Sequence, residues 1–510
     1  MIEQHNSLSE KILKKWFWLY LFSFIIWPLW YIIKIIISSE LSVSEVGILY
    51  WIISLITLVS AYNDLWLTDW LNYYIPKFIT ENRYDKVKSI LAYTIIAQLI
   101  TWISLAMIFF FWSEYLANSY FNDPVAWDIL KIFALFFLWI NLFQVISTFF
   151  MVIQNTFYNK ILDFSRTIFM LLFILFLYYF NLTNIINISY LWLIWMYFWV
   201  IFWVFLFYNK YYKIYLKKEK ILWEIKLFKT VFIYSLTVFI WVQAWVILSQ
   251  IDMQMIIYLL WTKDAGYYTN YLSIISIPFM IIWPIFWLLF PMFSEMYSKN
   301  EIDKINQVKS IFQKNFLAIS IAFNMLFFIF AEKLAIIFFW EKFLTSWIIL
   351  KYSILFLAFN FLLQMNFSIM ASIWKVKERI YIVIAAIFFS LIFNYLLINQ
   401  LWVSGAALSS WLWWIIIWFF SEIALWKQFK IKFDLIYLFK NIISIWTIWI
   451  LSYYYIIPLY NWLNRLELLL YFCLYSAIYF GLFALINLRE FKFFIGEIKA
   501  LRRKKDIENI

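Results

Sequence analysis

Five ionisable side chains sit within stretches otherwise apolar enough to cross a membrane: Lys34, Asp64, Asp69, Arg166 and Asp252. A charge in hydrocarbon is costly, so such groups face a cavity or one another and mark pathways for ions or polar cargo. Lys34 and Arg166 can hold an anion. The plainer alternatives are snorkelling to the headgroups for Lys34 and basic anchoring at a helix end for Arg166. Asp64 and Asp69, five residues apart and loosely on one side of a helix, can bind hydroxyls or a cation, or close a local hydrogen bond. Asp252, flanked by Gln250 and Gln254, can take up H+ or Na+, or pair with a cation such as Lys34. Asn360, Gln364 and Asn366 share one further span, where amides either line a cavity or bond helix to helix. A single cysteine and a single histidine exclude a disulfide framework and a Cys/His metal cluster.

The elements that must carry these residues are membrane helices. The chain has 510 residues, 66% hydrophobic and 14% charged, with a mean hydropathy of +0.83. A soluble domain of this size needs more charge on its surface. Apolar stretches recur from Trp16 to Ile486, each long enough to cross about 30 Å of hydrocarbon as helix. Fourteen spans are predicted, at 16–37, 47–75, 89–112, 129–155, 163–180, 187–208, 230–261, 267–291, 315–339, 346–372, 379–398, 402–425, 437–457 and 466–487. Trp16–Ile37 is too long for a cleavable signal peptide, and no small-residue cleavage site follows it. With both termini in the cytoplasm, 34 of the 41 Lys and Arg fall on the cytoplasmic side and 7 on the other. That asymmetry sets orientation, so the net charge of +12 is a topology signal rather than a nucleic-acid footprint. The basic tail Arg489–Lys505 is a solvated helix or a contact with anionic lipid.

Composition holds one anomaly. Glycine occurs 5 times and tryptophan 33 times, where an ordinary chain of this length carries about 36 glycines. Interfacial belts do not account for the tryptophans, because Trp51, Trp139, Trp195, Trp199, Trp241, Trp245, Trp283, Trp413 and Trp418 fall inside spans. Trp261, Trp340, Trp374 and Trp402 stand where helices end or turn, the natural place of a C′ glycine. The pattern predicts UGA codons decoded as glycine in the source and written here as tryptophan. Overpacking costs ~1–3 kcal/mol at each buried site, too much to bear at roughly two dozen of them.

The spans divide as six, six and two. The predicted organisation is an N-lobe at 1–208, a basic linker at 209–229, a C-lobe at 230–425, two further spans at 426–487 and a basic tail at 488–510. Gly47–Leu91 matches Gly266–Phe312. Each begins with a glycine after an acidic turn, reaches a proline (Pro76, Pro291), and ends in Val-Lys-Ser-Ile at Val87–Ile90 and Val308–Ile311. An even number of spans per repeat gives both halves the same orientation, about an axis along the membrane normal. The fold class expected is an all-α membrane protein of about fourteen transmembrane helices, two six-helix lobes related by a pseudo-twofold plus two C-terminal helices.

With tryptophan read as glycine, four segments in order resemble polysaccharide flippases of the MATE-like multidrug/oligosaccharidyl-lipid/polysaccharide exporter superfamily. They are SEVGILYWIISLITLVSAYNDLWLTDWLNYYIPKFITENRYDKVKSI, LSQIDMQMIIYLLWTKDAGYYTNYLSI, ASIWKVKERIYI and QLWVSGAALSSWLW. The resemblance runs from Trp16 to about Leu425, and the tryptophans themselves depart from it. It implies lobes around a cavity that opens alternately to each side of the bacterial cytoplasmic membrane. It also implies movement of an undecaprenyl-linked saccharide to the outer leaflet, driven by H+ or Na+ gradients or by downstream polymerisation machinery, with no cofactor. On that model Lys34 lies where such relatives carry a cation for the carrier's pyrophosphate, and Arg166 stands at the cytoplasmic mouth where a diphosphate enters. Asp64 and Asp69 would meet sugar hydroxyls or a coupling cation, Asp252 with Gln250 would couple an ion, and Asn360 and Gln364 would line the cavity.

A drug/cation antiporter of the same fold is the nearest alternative and would favour acidic over basic cavity residues. A membrane glycosyltransferase or ligase needs carboxylates in a large outer loop, and the longest, about Trp112–Asp128, is too short to hold them. No G-x-x-x-x-G-K-[ST] run exists even with tryptophan read as glycine, which excludes a P-loop ATPase.

Overall fold

In hydrocarbon every backbone N–H and C=O must be satisfied within the chain, which leaves long apolar runs only the helix. The computed structural model describes residues 25–63, 67–121, 123–153, 156–223, 243–353, 357–429, 435–455 and 464–488, and among these there is no strand. In chain order the helices are α1 (25–40), α2 (Val43–Asn63), α3 (Leu67–Thr80), α4 (Tyr84–Tyr115), α5 (Val125–Ala134), α6 (Phe136–Val152), α7 (Thr156–Tyr179), α8 (Ile185–Phe207) and α9 (243–259). There follow α10 (Thr262–Ser298), α11 (Ile302–Phe339), α12 (Thr345–Ser353), α13 (Leu357–Ser372), α14 (Val376–Leu401), α15 (Val403–Leu425), α16 (Leu435–Tyr455) and α17 (Arg465–Ile486). Within the described residues each predicted span coincides with helix, and those at 47–75, 129–155 and 346–372 each include two helices. Among the described residues seven helical stretches are singly long and apolar enough to cross a membrane. The chain is a multi-pass membrane protein.

The chain divides into two compact units, Met1–Thr269 and Asn270–Ile510. In the first, the core beneath α3, α4 and α6 is built by Leu71, Ile75, Phe78, Val87, Ile90, Val145 and Phe149, closed by Leu216. Leu216 belongs to a π-helical extension of α8, Tyr208–Leu216, so the basic linker begins as ordered helix. It is then strapped to α4. Lys88 donates to the Glu219 carbonyl at 2.7 Å, the Leu222 N–H donates to Ser89 Oγ at 2.7 Å, and the Tyr93 hydroxyl donates to the Leu222 carbonyl. In the second unit α11 packs against α12, α13, α16 and α17, while α14 and α15 form a hairpin. The last two helices are tied in by Tyr479, whose hydroxyl donates to the Ala322 carbonyl at 3.0 Å, and by an Asn487–Asn441 amide bond at 2.8 Å.

One helix-to-helix link recurs along the chain. After α3, Asn82 takes φ 55° and the Arg83 N–H reaches back to the Phe78 carbonyl at 2.8 Å. After α10, Asn300 takes φ 56° and the Glu301 N–H reaches the Met296 carbonyl at 2.9 Å. This is the Schellman ending, in which a left-handed residue turns the chain back on its own last turn. The next residue has nearly the same conformation in both, φ −96° and ψ 66° at Arg83 against φ −88° and ψ 58° at Glu301. Asp85 and Asp303 then acidify equivalent first turns. In this register the matched Val-Lys-Ser-Ile runs are one helical turn apart, and Lys88 and Lys309 accordingly meet different partners.

The tryptophans at helix ends have the backbone that glycine favours in three of the four expected places. Trp340 (φ 64°, ψ 170°), Trp374 (φ 61°) and Trp402 (φ 57°, ψ −145°) are left-handed. Trp261 is not; it lies between the end of α9 and the start of α10, its N–H donating to Asp264 Oδ2 at 3.1 Å, so its backbone caps the entry to α10.

Candidate functional site

Two glycines bring the first unit's polar residues together. A capping box of Ser42 and Glu45 starts α2, and Gly47 follows within its first turn and a half. A Cβ on Gly47 would lie 1.8 Å from the Thr262 carbonyl oxygen, and one on Gly266 would lie 2.1 Å from that of Val43. The starts of α2 and α10 therefore touch backbone to backbone, which no residue with a side chain allows. These are the two glycines that open the matched segments of the sequence.

One to two turns further in, Lys34 from α1 is buried at 8% exposure. Its ammonium donates to the Thr269 carbonyl at 3.1 Å and to Thr269 Oγ1 at 3.0 Å, and it stands 3.6 Å from the centre of the Tyr50 ring. Among the described residues it meets a carbonyl, a hydroxyl and a π face, and no carboxylate. Among the described residues no carboxylate competes with an anionic ligand for this ammonium.

Beside it runs a continuous hydrogen-bond chain. The Trp51 indole and the Tyr120 hydroxyl both donate to Gln254 Oε1, at 3.0 and 2.7 Å. Gln254 donates to Ser54 at 2.9 Å, and Ser54 donates to Gln250 Oε1 at 2.6 Å. Asp252, also on α9 and 7% exposed, accepts from the buried Tyr268 hydroxyl at 3.1 Å. The i, i+2, i+4 spacing of Gln250, Asp252 and Gln254 sends the two glutamines to α2 and the carboxylate to α10.

The other sequence candidates are placed elsewhere. Arg166 on α7 is ringed by Trp30, Phe143 and Trp195, whose ring centres lie 5.8, 5.4 and 5.9 Å from its guanidinium, and its buried Nε lacks a partner among the described residues. Asp64 lies outside the described residues; Asp69 falls on α3, its side chain likewise outside them. Asn360 is buried on α13 with its carbonyl oxygen unpartnered among the described residues, and Gln364 is half-buried one turn on. Asn366 bonds helix to helix, donating to Ser421 at 2.8 Å and to Glu422 Oε1 at 2.9 Å on α15. Glu422 Oε2 accepts from Lys309 at 2.7 Å, an ion pair with side chains 4% and 0% exposed.

The predicted span at 315–339 leaves Lys309 outside it, and the structure buries this residue against Glu422. Helix α11 begins at Ile302, a dozen residues before the predicted span, and carries Lys309 inward. The available signal was Glu422, a carboxylate near the end of an apolar run. Thr269, Tyr50, Ser54 and Tyr268 gave none, since hydroxyls are common in membrane helices.

A family model described as polysaccharide biosynthesis protein matches residues 12–297. An uncharacterized membrane protein of Methanocaldococcus jannaschii is 25% identical over 520 residues, spanning 96% of this chain and 99% of that one. Among solved structures, the lipid II flippase MurJ in an inward closed conformation gives a TM-score of 0.69 at 13% identity, covering 91% of this chain and 98% of its own. A multidrug resistance MATE family transporter of the MOP superfamily, inward-facing, gives 0.68 at 12% identity, covering 79% and 94%.

Proposed function

The chain belongs to the polysaccharide biosynthesis protein family and is a membrane transporter of the MATE-like flippase fold, and on that premise we propose that it moves an undecaprenyl-linked oligosaccharide across the cytoplasmic membrane by alternating access. The observation that carries the reading is Lys34, a buried cation without a carboxylate partner among the described residues. A pyrophosphate is the group on such a lipid that needs it. Both termini are cytoplasmic on the basic-residue asymmetry, which puts the glycine contact of α2 with α10 at the outer end. Sugar hydroxyls suit the neutral chain of Ser54, Gln250, Gln254 and Tyr120, which both donates and accepts. Polymerisation machinery would draw off the product.

The test is flipping of a fluorescent undecaprenyl-pyrophosphate saccharide in proteoliposomes. Lys34→Met fills the same space without charge, and a lost charge-assisted bond of about 1.5–3 kcal/mol lowers affinity roughly 10- to 100-fold. Lys34→Arg is expected to retain most binding. Undiminished flipping by Lys34→Met would sink the reading.

One observation favours ion coupling at the same site. Asp252 is a buried carboxylate whose hydroxyl partner, Tyr268, serves it whether charged or protonated. Asp252→Asn is expected to abolish the dependence of transport on a H+ or Na+ gradient while leaving membrane insertion and carrier binding unchanged. Gradient-driven transport that survives the change removes Asp252 from coupling. Should Lys34→Met leave pyrophosphate binding intact while Asp252→Asn stops uptake of a cationic dye, the drug/cation antiporter is the correct reading.

A further inference from the structure

We infer that the natural chain carries glycine at positions 195, 203, 340, 374, 402 and 413, the tryptophans written there being UGA codons that the source decodes as glycine. Composition raises the idea; the structure says where it applies. Among the described residues six non-glycine positions have positive φ: Asn82, Asn181, Asn300, Trp340, Trp374 and Trp402. Asparagine is the residue other than glycine that tolerates this conformation, and tryptophan is among those that do not.

Trp374 makes the comparison direct. The Lys375 N–H donates to the Met370 carbonyl at 2.9 Å, and Lys375 takes φ −82° and ψ 49°. That is the link already seen at Asn82–Arg83 and Asn300–Glu301, and the Leu182 N–H closes the same ring to Leu177 after Asn181 at 2.9 Å. Three of the four copies have asparagine at the left-handed position and the fourth has tryptophan. Trp340 and Trp402 pair φ near 60° with extended ψ, a region that is essentially glycine's alone.

Inside the helices the indoles are out of place for a second reason. Trp195, Trp203 and Trp413 are buried with their ring N–H groups unpartnered among the described residues, whereas a buried indole ordinarily finds an acceptor. Trp195, Trp199 and Trp203 also recur every four residues on α8, the face that meets α6 and α7. Small residues at that spacing are what let membrane helices approach. Elsewhere the rings of Trp51 and Phe121 are forced to a centroid separation of 3.5 Å at a 40° tilt, inside the roughly 4.5–7 Å at which ring pairs settle.

One consequence touches the ligand. Trp195 supplies one of three ring faces around Arg166, and glycine there opens the guanidinium to an anionic group. This consequence rests on the flippase reading; the glycine assignment does not.

Peptide mass spectrometry of the protein purified from its natural source, read against its own gene, tests the assignment position by position. UGA codons and glycine-containing peptides at the six positions are expected. A UGG codon overturns the assignment at its position, and so does UGA with tryptophan in the peptide. Either failure leaves the Lys34 flipping assay, and the flippase reading with it, standing.

Discussion

Glycine in place of Trp340, Trp374 and Trp402 together is expected to raise the apparent melting temperature of the detergent-solubilised protein by several degrees. A residue with a side chain held in these conformations costs about 1–3 kcal/mol at each position. Against that stand the entropy of a freer unfolded chain, roughly 0.5–1 kcal/mol per glycine, and the contacts of the lost rings. The Trp374 ring is 84% exposed and the Trp402 ring 42% exposed, so removing either gives up little buried area. Trp340 covers the Arg465 guanidinium at 3.5 Å, worth about 0.5–1 kcal/mol at a site open to solvent. The balance favours glycine at Trp374 and Trp402 and is closest at Trp340, where Arg465 keeps its bond to the Ile337 carbonyl at 2.7 Å.

The order of replacements separates backbone strain from ring removal. At 374 the melting temperature should follow glycine above asparagine above alanine, with alanine little better than tryptophan, because alanine removes the ring and keeps the Cβ. Trp426 is the control: it is 62% exposed in right-handed backbone, φ −51° and ψ −37°. Glycine there is expected to destabilise by up to about 1 kcal/mol. Equal effects of glycine at 374 and 426 would mean that the left-handed turn is not what glycine relieves.

How far each feature was legible in the sequence follows from what produces it. The spans were legible because hydrocarbon thickness fixes a length and excludes charge, so apolar runs such as 187–208 and 402–425 announce themselves without any tertiary partner. Helix ends at Trp340, Trp374 and Trp402 were legible from position alone, since a chain that must turn between spans needs a left-handed residue. Trp261 looked the same in sequence, but Asp264, three residues on, makes it the entry to α10. The site was half legible. Lys34, Asp252 and Gln250 stand out as polar groups in apolar runs, whereas Thr269 lies 235 residues from Lys34 and became its partner only through the Gly47–Gly266 contact. The role of Lys309 was not legible, because a lysine near a helix start looks solvated until its distant carboxylate is seen.

That buried pair carries the second large effect. Removing either member of the Lys309–Glu422 pair is expected to destabilise the protein by about 3–5 kcal/mol, since each leaves the other charge buried and alone. Glu422→Ala also takes one of two acceptors from Asn366, which keeps its bond to Ser421, so it should be the worse of the two. Lys309→Met with Glu422→Leu removes both charges at similar volume and is expected to recover most of the loss. Apolar replacement of a whole buried pair is often neutral or better. Thermal denaturation of the wild type, Lys309→Met, Glu422→Leu and the double variant as a double-mutant cycle measures the coupling. Transport measured on the same variants distinguishes a structural tie from a moving part. The pair joins α11 to α15, with α13 held through Asn366, all inside the second unit. Transport should therefore return together with stability in the double variant. A double variant that is stable yet inactive would show that the ion pair must break and re-form during the cycle, and would move Lys309 and Glu422 from the scaffold into the mechanism.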